Sequence, residues 1–207
     1  MSAVAFAYPK PWIVPQEWSA DEPCFVLCSG ESIGAQASLI QRLKGRFLAV
    51  KHGLLLKPDA DVLFMPGECW DSIVFPLLKK FRGTHAVIRS KYHPDLPDTV
   101  KRVTRSKNHA ELCERKDHVS GFDSGTSAIN LAYHLGARII VLLGYDMTGG
   151  HFCKHPLQNP PQGHFRKHIG PLKALNEDAK KKGVRIVNCS PISAVTAFER
   201  QPLEAFL

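Results

Sequence analysis

Nowhere in this 207-residue sequence do about eighteen apolar residues follow one another, which excludes a membrane-spanning helix; no membrane partner is expected. No block of like charge is long enough for a disordered tail. With 44% apolar and 22% charged residues the chain reads as globular throughout. The first residues lack the basic start and unbroken apolar stretch of a signal peptide, because prolines stand at 9, 11 and 15; residues 1–23 read as an extended arm. The six cysteines, at 24, 28, 69, 113, 153 and 189, are scattered, several of them inside apolar runs where a reduced thiol acts as a small hydrophobe. That usage favours a reducing, cytoplasmic setting. Two nucleotide signatures are also missing: a Gly-x-Gly-x-x-Gly fingerprint, and a phosphate-loop lysine after the first glycine turn. No Asp-x-Asp pair stands at a strand end, since Asp59 and Asp61 precede their strand, and this favours metal-independent chemistry.

What is present is a basic excess. A formal charge of +8 favours anionic partners, meaning nucleotides, phosphosugars or nucleic acid, and is equally compatible with a role in solubility alone. Strand-length apolar runs alternate with segments of helical period, the pattern of parallel strands joined by crossover helices. The spacing predicts strands at 24–29, 45–51, 60–67, 84–90, 138–143 and 184–188, and helices at 33–43, 71–82, 126–135 and 171–182. Gly136 is placed to close the third helix in the left-handed conformation. The expected architecture is a single Rossmann-like α/β domain over 24–207, mostly parallel, with helices on both faces. A basic surface excursion at 91–121 carries one further strand near 100–104, and a His-rich lid at 147–168 covers the carboxyl edge.

In open parallel sheets ligands bind beyond the carboxyl ends of the strands, where helix N-termini point outward. Ser29-Gly30-Glu31-Ser32 follows the first strand and offers one glycine for close approach and two hydroxyls for a phosphate or ribose. Ser32 is equally readable as a simple N-cap. Asp123-Ser124-Gly125-Thr126-Ser127 opens the helix before the strongest strand with the same residue types, so two helix ends are expected to converge on one anion. Gly144 and Asp146 follow that strand directly. There an aspartate suits a ribose, an acceptor hydroxyl or a metal, the alternative being a cap or a loop hydrogen bond.

Taken in order, "CFVLCSGESI", "SGTSAINLAYHLGARIIVLLGYDM" and "HIGPLKALNEDAKKKGVRIVNCSP" resemble the sialyltransferases of glycosyltransferase family 42. They also resemble proteins similar to 6-hydroxymethyldihydropterin pyrophosphokinase. The match covers about 24–67 and 120–198. The family's nucleotide-contacting loop, Gly-Asn-Gly-Pro-Ser-Leu, aligns with Cys28 to Ile33, so Gly30 and Ser32 match and Ser29 replaces an asparagine. Lys51 stands where the family has an asparagine and is suited to phosphate. Ser124 and Gly125 match the Ser-Gly that opens its central helix, and Gly144-Tyr145-Asp146-Met147 resembles its Gly-Ile-Asp-Phe. The family's histidine base falls between His164 and His168, on Arg166 in a gapless alignment. Its lid tyrosines have no counterpart, since no tyrosine follows Tyr145.

The resemblance therefore implies a nucleotide-sugar-dependent transferase. Ser29, Gly30, Ser32, Lys51, Ser124, Gly125 and Thr126 would hold the nucleotide, with Asp146 positioning a hydroxyl. His168 or His164 would act as general base, and Arg166 and Lys167 would meet the leaving phosphate. It makes self-association an expectation and calls for no cofactor beyond the donor. A pyrophosphokinase-like enzyme would need ATP and Mg²⁺. The lid residues His151, Cys153, His155, His164 and His168 supply ligand types for zinc, in a spacing that matches no named motif. Lys101, Arg102, Arg105, Lys107, Arg115 and Lys116 would serve nucleic-acid or nucleotide binding without catalysis.

Overall fold

A computed structural model describes residues 10–67, 70–89, 93–153 and 165–207. Nine strands among these residues form one sheet: β1 (Pro23–Leu27), β2 (Arg46–Val50), β3 (Val62–Pro66), β4 (His85–Arg89), β5 (Lys101–Arg105), β6 (His118–Val119), β7 (Ile139–Leu143), β8 (Arg185–Asn188) and β9 (Glu199–Arg200). Their order is β6-β5-β4-β3-β2-β1-β7-β8-β9, and every neighbouring pair is parallel. The fold is an open, Rossmann-like α/β sheet. Its period-two alternation separates two cores. Cys24 and Val26 of β1 and Leu48 of β2 join one cluster; Phe25, Leu27 and Ala49 join the other. Burial on both faces is why these strands read as continuous apolar runs rather than as alternating ones.

On the first face lie α3 (Ser124–Leu135) and α5 (Leu172–Lys181), which contribute Ala128, Ile129, Leu135, Leu172 and Leu175. The second face carries a 3₁₀ turn at Glu31–Gln36, the short α1 (Ala37–Ile40) and α2 (Phe75–Lys80), with Ile33, Ile40 and Leu77 buried. The expected helix over 33–43 is thus broken in two, consistent with Gly34 early in the run and no side-chain cap at Gly30. The expected helix over 71–82 begins as a π-helical turn, Trp70–Val74, and becomes α-helical at Phe75, one residue before Pro76. Proline lacks the amide that would bond back into the preceding turn, so the regular helix starts there. The two-residue strands β6 and β9 and the one-turn α4 (Arg166–Ile169) are too short to show a period in sequence.

The segment 10–22 crosses onto the first face without regular structure. Trp12 and Val14 donate their amides to the carbonyls of Arg102 (2.6 Å) and Lys116 (3.0 Å), and Trp18 to that of Leu135 (2.8 Å). Val14 and Trp18 are buried there. Among the described residues no helix is long and apolar enough to cross a membrane.

The chain runs outward from β1 through β2 to β6, returns along α3 to β7, and then proceeds to β8 and β9 on the other side. The strand order therefore reverses between β1 and β7, the place where open sheets leave a crevice beyond their carboxyl ends.

Candidate functional site

A cavity of about 260 Å³ opens at that reversal. Its walls come from the ends of β1 (Cys28, Ser29, Gly30), β2 (Val50, Lys51) and β7 (Gly144 to Met147), from the start of α3 (Asp123, Ser124, Gly125), and from Gly149, Gly150, His151, Phe165 and His168. The two turns singled out by sequence thus share one hollow at one rim of the sheet.

Close backbone contact joins them. The Gly30 amide donates to the Gly144 carbonyl at 2.9 Å, and a Cβ on Gly30 would lie 2.4 Å from that oxygen and 2.5 Å from Oδ2 of Asp146. Only glycine fits. Asp146 is buried, and its carboxylate turns toward the first turn rather than away from it: the Ser32 amide donates to Oδ2 at 2.8 Å and the Ser32 hydroxyl to Oδ1 at 2.5 Å. Ser32 is therefore no N-cap. It is clamped by the aspartate that follows β7, the strand next to β1.

The start of α3 is closed in the same manner. Asp123 Oδ1 accepts from the amides of Gly125 (2.8 Å) and Thr126 (3.0 Å), while Oδ2 accepts from the Thr126 hydroxyl (2.9 Å) and from the Tyr145 hydroxyl (3.1 Å). The Thr126 hydroxyl in turn accepts the Asp123 amide at 3.2 Å, completing a capping box. A carboxylate of the chain thus stands at each helix end that the sequence offered to a phosphate. Burial, followed by the charge of Asp123, pushes the Tyr145 phenol well above its ordinary value, which keeps it a donor. The Cys28 thiol is raised well above its own value, by burial first and then by Asp123 and Asp146.

The remaining predicted residues divide by position. Ser29 lines the cavity. Its hydroxyl donates to the Val50 carbonyl at 3.3 Å, and its own carbonyl receives Nδ1–H of His151 at 3.1 Å and the Phe152 amide at 3.3 Å. Because a carbonyl can only accept, that contact puts the proton of a neutral His151 ring on Nδ1 and the lone pair on Nε2. Burial holds the His151 pKa below its ordinary value, against the Ser29 bond and with help from Lys51, so the ring is neutral near pH 7. Lys51, Ser124, Gly125 and His168 also line the cavity, while Ser32 and Thr126 sit behind its wall and Lys167 is exposed outside it. His155, His164 and the side chain of Arg166 lie outside the described residues. Among the described residues no three His, Cys, Asp or Glu side chains gather as a metal site; of the zinc candidates, His151 and His168 line the cavity, whereas Cys153 is half-buried and outside its lining.

Sequence reasoning missed two features. Lys51 (φ 50°) and Met147 (φ 55°) are the non-glycine residues with left-handed backbone among those described, and both line the cavity. Such strain collects at functional sites, and no residue type announces it. Asp123 and Tyr145 were part of quoted motifs, but their mutual bond across 22 residues has no signal in the chain.

No protein-family model matches this sequence, and no curated protein matches it. Solved structures do match. The MAf glycosyltransferase from Magnetospirillum magneticum AMB-1 aligns with a TM-score of 0.62 at 12% identity, over 96% of this chain and 36% of that one. This chain thus spans about a third of that enzyme's length. The sialyltransferase CST-II, in complex with a trisaccharide acceptor and CMP, aligns with a TM-score of 0.52 at 13% identity, over 86% of this chain and 85% of that one. This chain has a glycosyltransferase-like fold. Neither of these structures is a pyrophosphokinase, so that relation gains no support from them.

Proposed function

We propose that this protein is a nucleotide-sugar-dependent glycosyltransferase whose donor nucleotide occupies the cavity between β1 and β7. The observation that carries the reading is the convergence of the β1 turn, the β7 turn and the start of α3 on one hollow at the strand-order reversal, in a fold shared with a sialyltransferase bound to CMP. The nucleotide lies against Ser29, Gly30, Lys51, Ser124 and Gly125. Asp123 and Asp146 already neutralise the helix ends, so charge on the donor phosphate is met chiefly by the Lys51 ammonium. Asp146 acts through Ser32 and Gly30, holding the two turns together.

In the transfer step the acceptor oxygen bonds to the sugar's anomeric carbon as the carbon–oxygen bond to phosphate breaks, and that electron pair leaves on the nucleotide. A lid histidine takes the acceptor proton. His168, on α4 at the cavity wall, is assigned that role, and His164 is the other histidine that the resemblance offers for it. His151, neutral and anchored to Ser29, is assigned to the donor side, where its Nε2 lone pair accepts from a donor hydroxyl. Arg166 and Lys167 are assigned to the charge of the leaving phosphate.

A thermal-shift screen with CMP, UDP, ADP and GDP and their sugar conjugates tests the reading. Ligand at about one hundred times its Kd adds about 2.7 kcal/mol, roughly 5–10 °C for a chain of this size. CMP is the nucleotide expected to give it, and a flat response to all of them overturns the proposal. With the binding nucleotide in hand, His151→Ala is expected to raise its Kd, whereas His168→Ala leaves Kd unchanged and lowers turnover of the sugar conjugate by about 100-fold or more.

A further inference from the structure

The cavity between β1 and β7 leaves a second, larger hollow unused. A groove of about 450 Å³ opens on the second face of the sheet, beyond the carboxyl ends of β8 and β9. That volume suits a small molecule. Leu39 of α1 and Leu203, in a 3₁₀ turn at Leu203–Phe206, give the groove an apolar lining, and Gln36, Cys189, Arg200 and Glu204 line it as well. None of these six residues lines the first cavity. Gln36 fastens the groove to the end of β8, its Nε2 donating to the Cys189 carbonyl at 2.9 Å.

Two opposite charges stand on this groove and do not meet. Arg200, the last residue of β9, donates from Nη1 to the Ser193 carbonyl (3.2 Å) and from Nη2 to the carbonyls of Ser190 (2.7 Å) and Pro191 (3.1 Å). The loop after β8 therefore fixes the guanidinium, and among the described residues no carboxylate pairs with it. Glu204 is exposed in the first turn of the 3₁₀ segment, and among the described residues its carboxylate has neither an ion pair nor a hydrogen bond. Charges nearby behave otherwise: Glu199 takes two bonds from Arg185 and a third from Gln201. Both groove charges also act on one sulfur. The Cys189 thiol is pushed up to about 12, by burial first, while Arg200 draws it down and Glu204 pushes it up. A lone anion here would gain from Arg200 and be opposed by Glu204, and a lone amine the reverse; a molecule carrying both charges gains at each end.

We propose that this groove binds a free α-amino acid with an apolar side chain. Its carboxylate takes donors that Arg200 has left, since the three carbonyls use three of the five guanidinium N–H groups. Its ammonium meets Glu204, and its side chain lies against Leu39 and Leu203. The site is separate from the nucleotide cavity and does not rest on the glycosyltransferase reading.

Saturation-transfer NMR titrations on the full chain, with no nucleotide added, compare leucine with 4-methylpentanoate, which lacks its ammonium, and 3-methylbutylamine, which lacks its carboxylate. Leucine is expected to bind at least about tenfold more tightly than either. Glu204→Gln is expected to weaken leucine about tenfold and not to weaken 4-methylpentanoate, which has no ammonium to lose. Arg200→Gln is expected to weaken leucine by about the same factor and not to weaken 3-methylbutylamine. Because Arg200→Gln also frees three carbonyls of the loop after β8, the exposed Glu204→Gln variant decides the matter where that loop is disturbed. Absence of any leucine signal, binding of either truncated compound as tight as that of leucine, or leucine binding indifferent to Glu204→Gln would overturn the proposal.

Discussion

At the level of single residues, the side chain that most changes the picture is Asp146. Its position directly after a buried strand marked it for chemistry or for capping, and its two short bonds to Ser32 show it holding a turn 114 residues away. Removing the hydroxyl leaves Oδ1 buried without that donor, and a buried acceptor so deprived costs about 1–3 kcal/mol. Ser32→Ala is accordingly expected to lower the urea-unfolding free energy by that amount and to leave the slope unchanged. A loss under about 0.5 kcal/mol would mean that other groups hold the carboxylate. Gly30 was legible as a point of close approach, because a glycine after a strand invites it. The structure makes the steric demand specific to the Gly144 carbonyl and Asp146, so any weakening of nucleotide binding in Gly30→Ala would come with a loss of fold stability. The strained backbone at Lys51 and Met147 was not legible, since φ above zero is imposed by neighbours and not by lysine or methionine.

One step up, the start of α3 behaves as a unit. Its first residues, its cap at Asp123 and its end at Gly136 (φ 119°) all follow from local rules that a reader of sequence can apply. What local rules do not contain is Tyr145. Its ring lies against the first turn so closely that a Cβ on Gly125 would come within 2.4 Å of Cε2. Gly125→Ala must push that ring aside and is expected to cost about 1–3 kcal/mol. If the ring is the cause, combining the substitution with Tyr145→Ala gives less than the sum of the two single losses, by at least about 0.5 kcal/mol in a double-mutant cycle. Strict additivity would place the strain elsewhere. A matching contrast holds on the other face of the sheet. There the apolar period correctly marked the stretch before β4 as helical, and Pro76 lies within the α2 that follows its π-helical turn.

For the molecule as a whole, stability should carry a signature of acid. His134 is fully buried within α3, its Nε2–H donates to the His118 carbonyl at 2.8 Å, and burial lowers its pKa from 6.5 to about 4. Between those values the unfolded chain binds a proton that the folded chain does not, so stability falls as pH falls through that window. The loss amounts to about 2 kcal/mol by pH 5 and about 3 kcal/mol below pH 4. His134→Gln keeps a donor and removes the titration; its unfolding free energy is expected to change less than that of the parent between pH 7 and pH 5. An equal change in unfolding free energy between pH 7 and pH 5 in parent and variant would assign the acid response to other groups.

The sequence by itself determined the alternation of strands and helices, the parallel sheet buried on both faces, and the two Gly- and Ser-containing turns at strand ends. Each of these depends on neighbours a few residues apart, through apolar period, capping chemistry and glycine's freedom. Only the tertiary structure decided that β1 and β7 lie side by side, that Asp123 and Asp146 close the helix ends a phosphate was expected to meet, and that the Phe122 and His109 rings meet. Those are contacts between residues far apart in the chain, set by how an open sheet orders its strands and by which charged groups burial forces together. No local pattern in the chain encodes them.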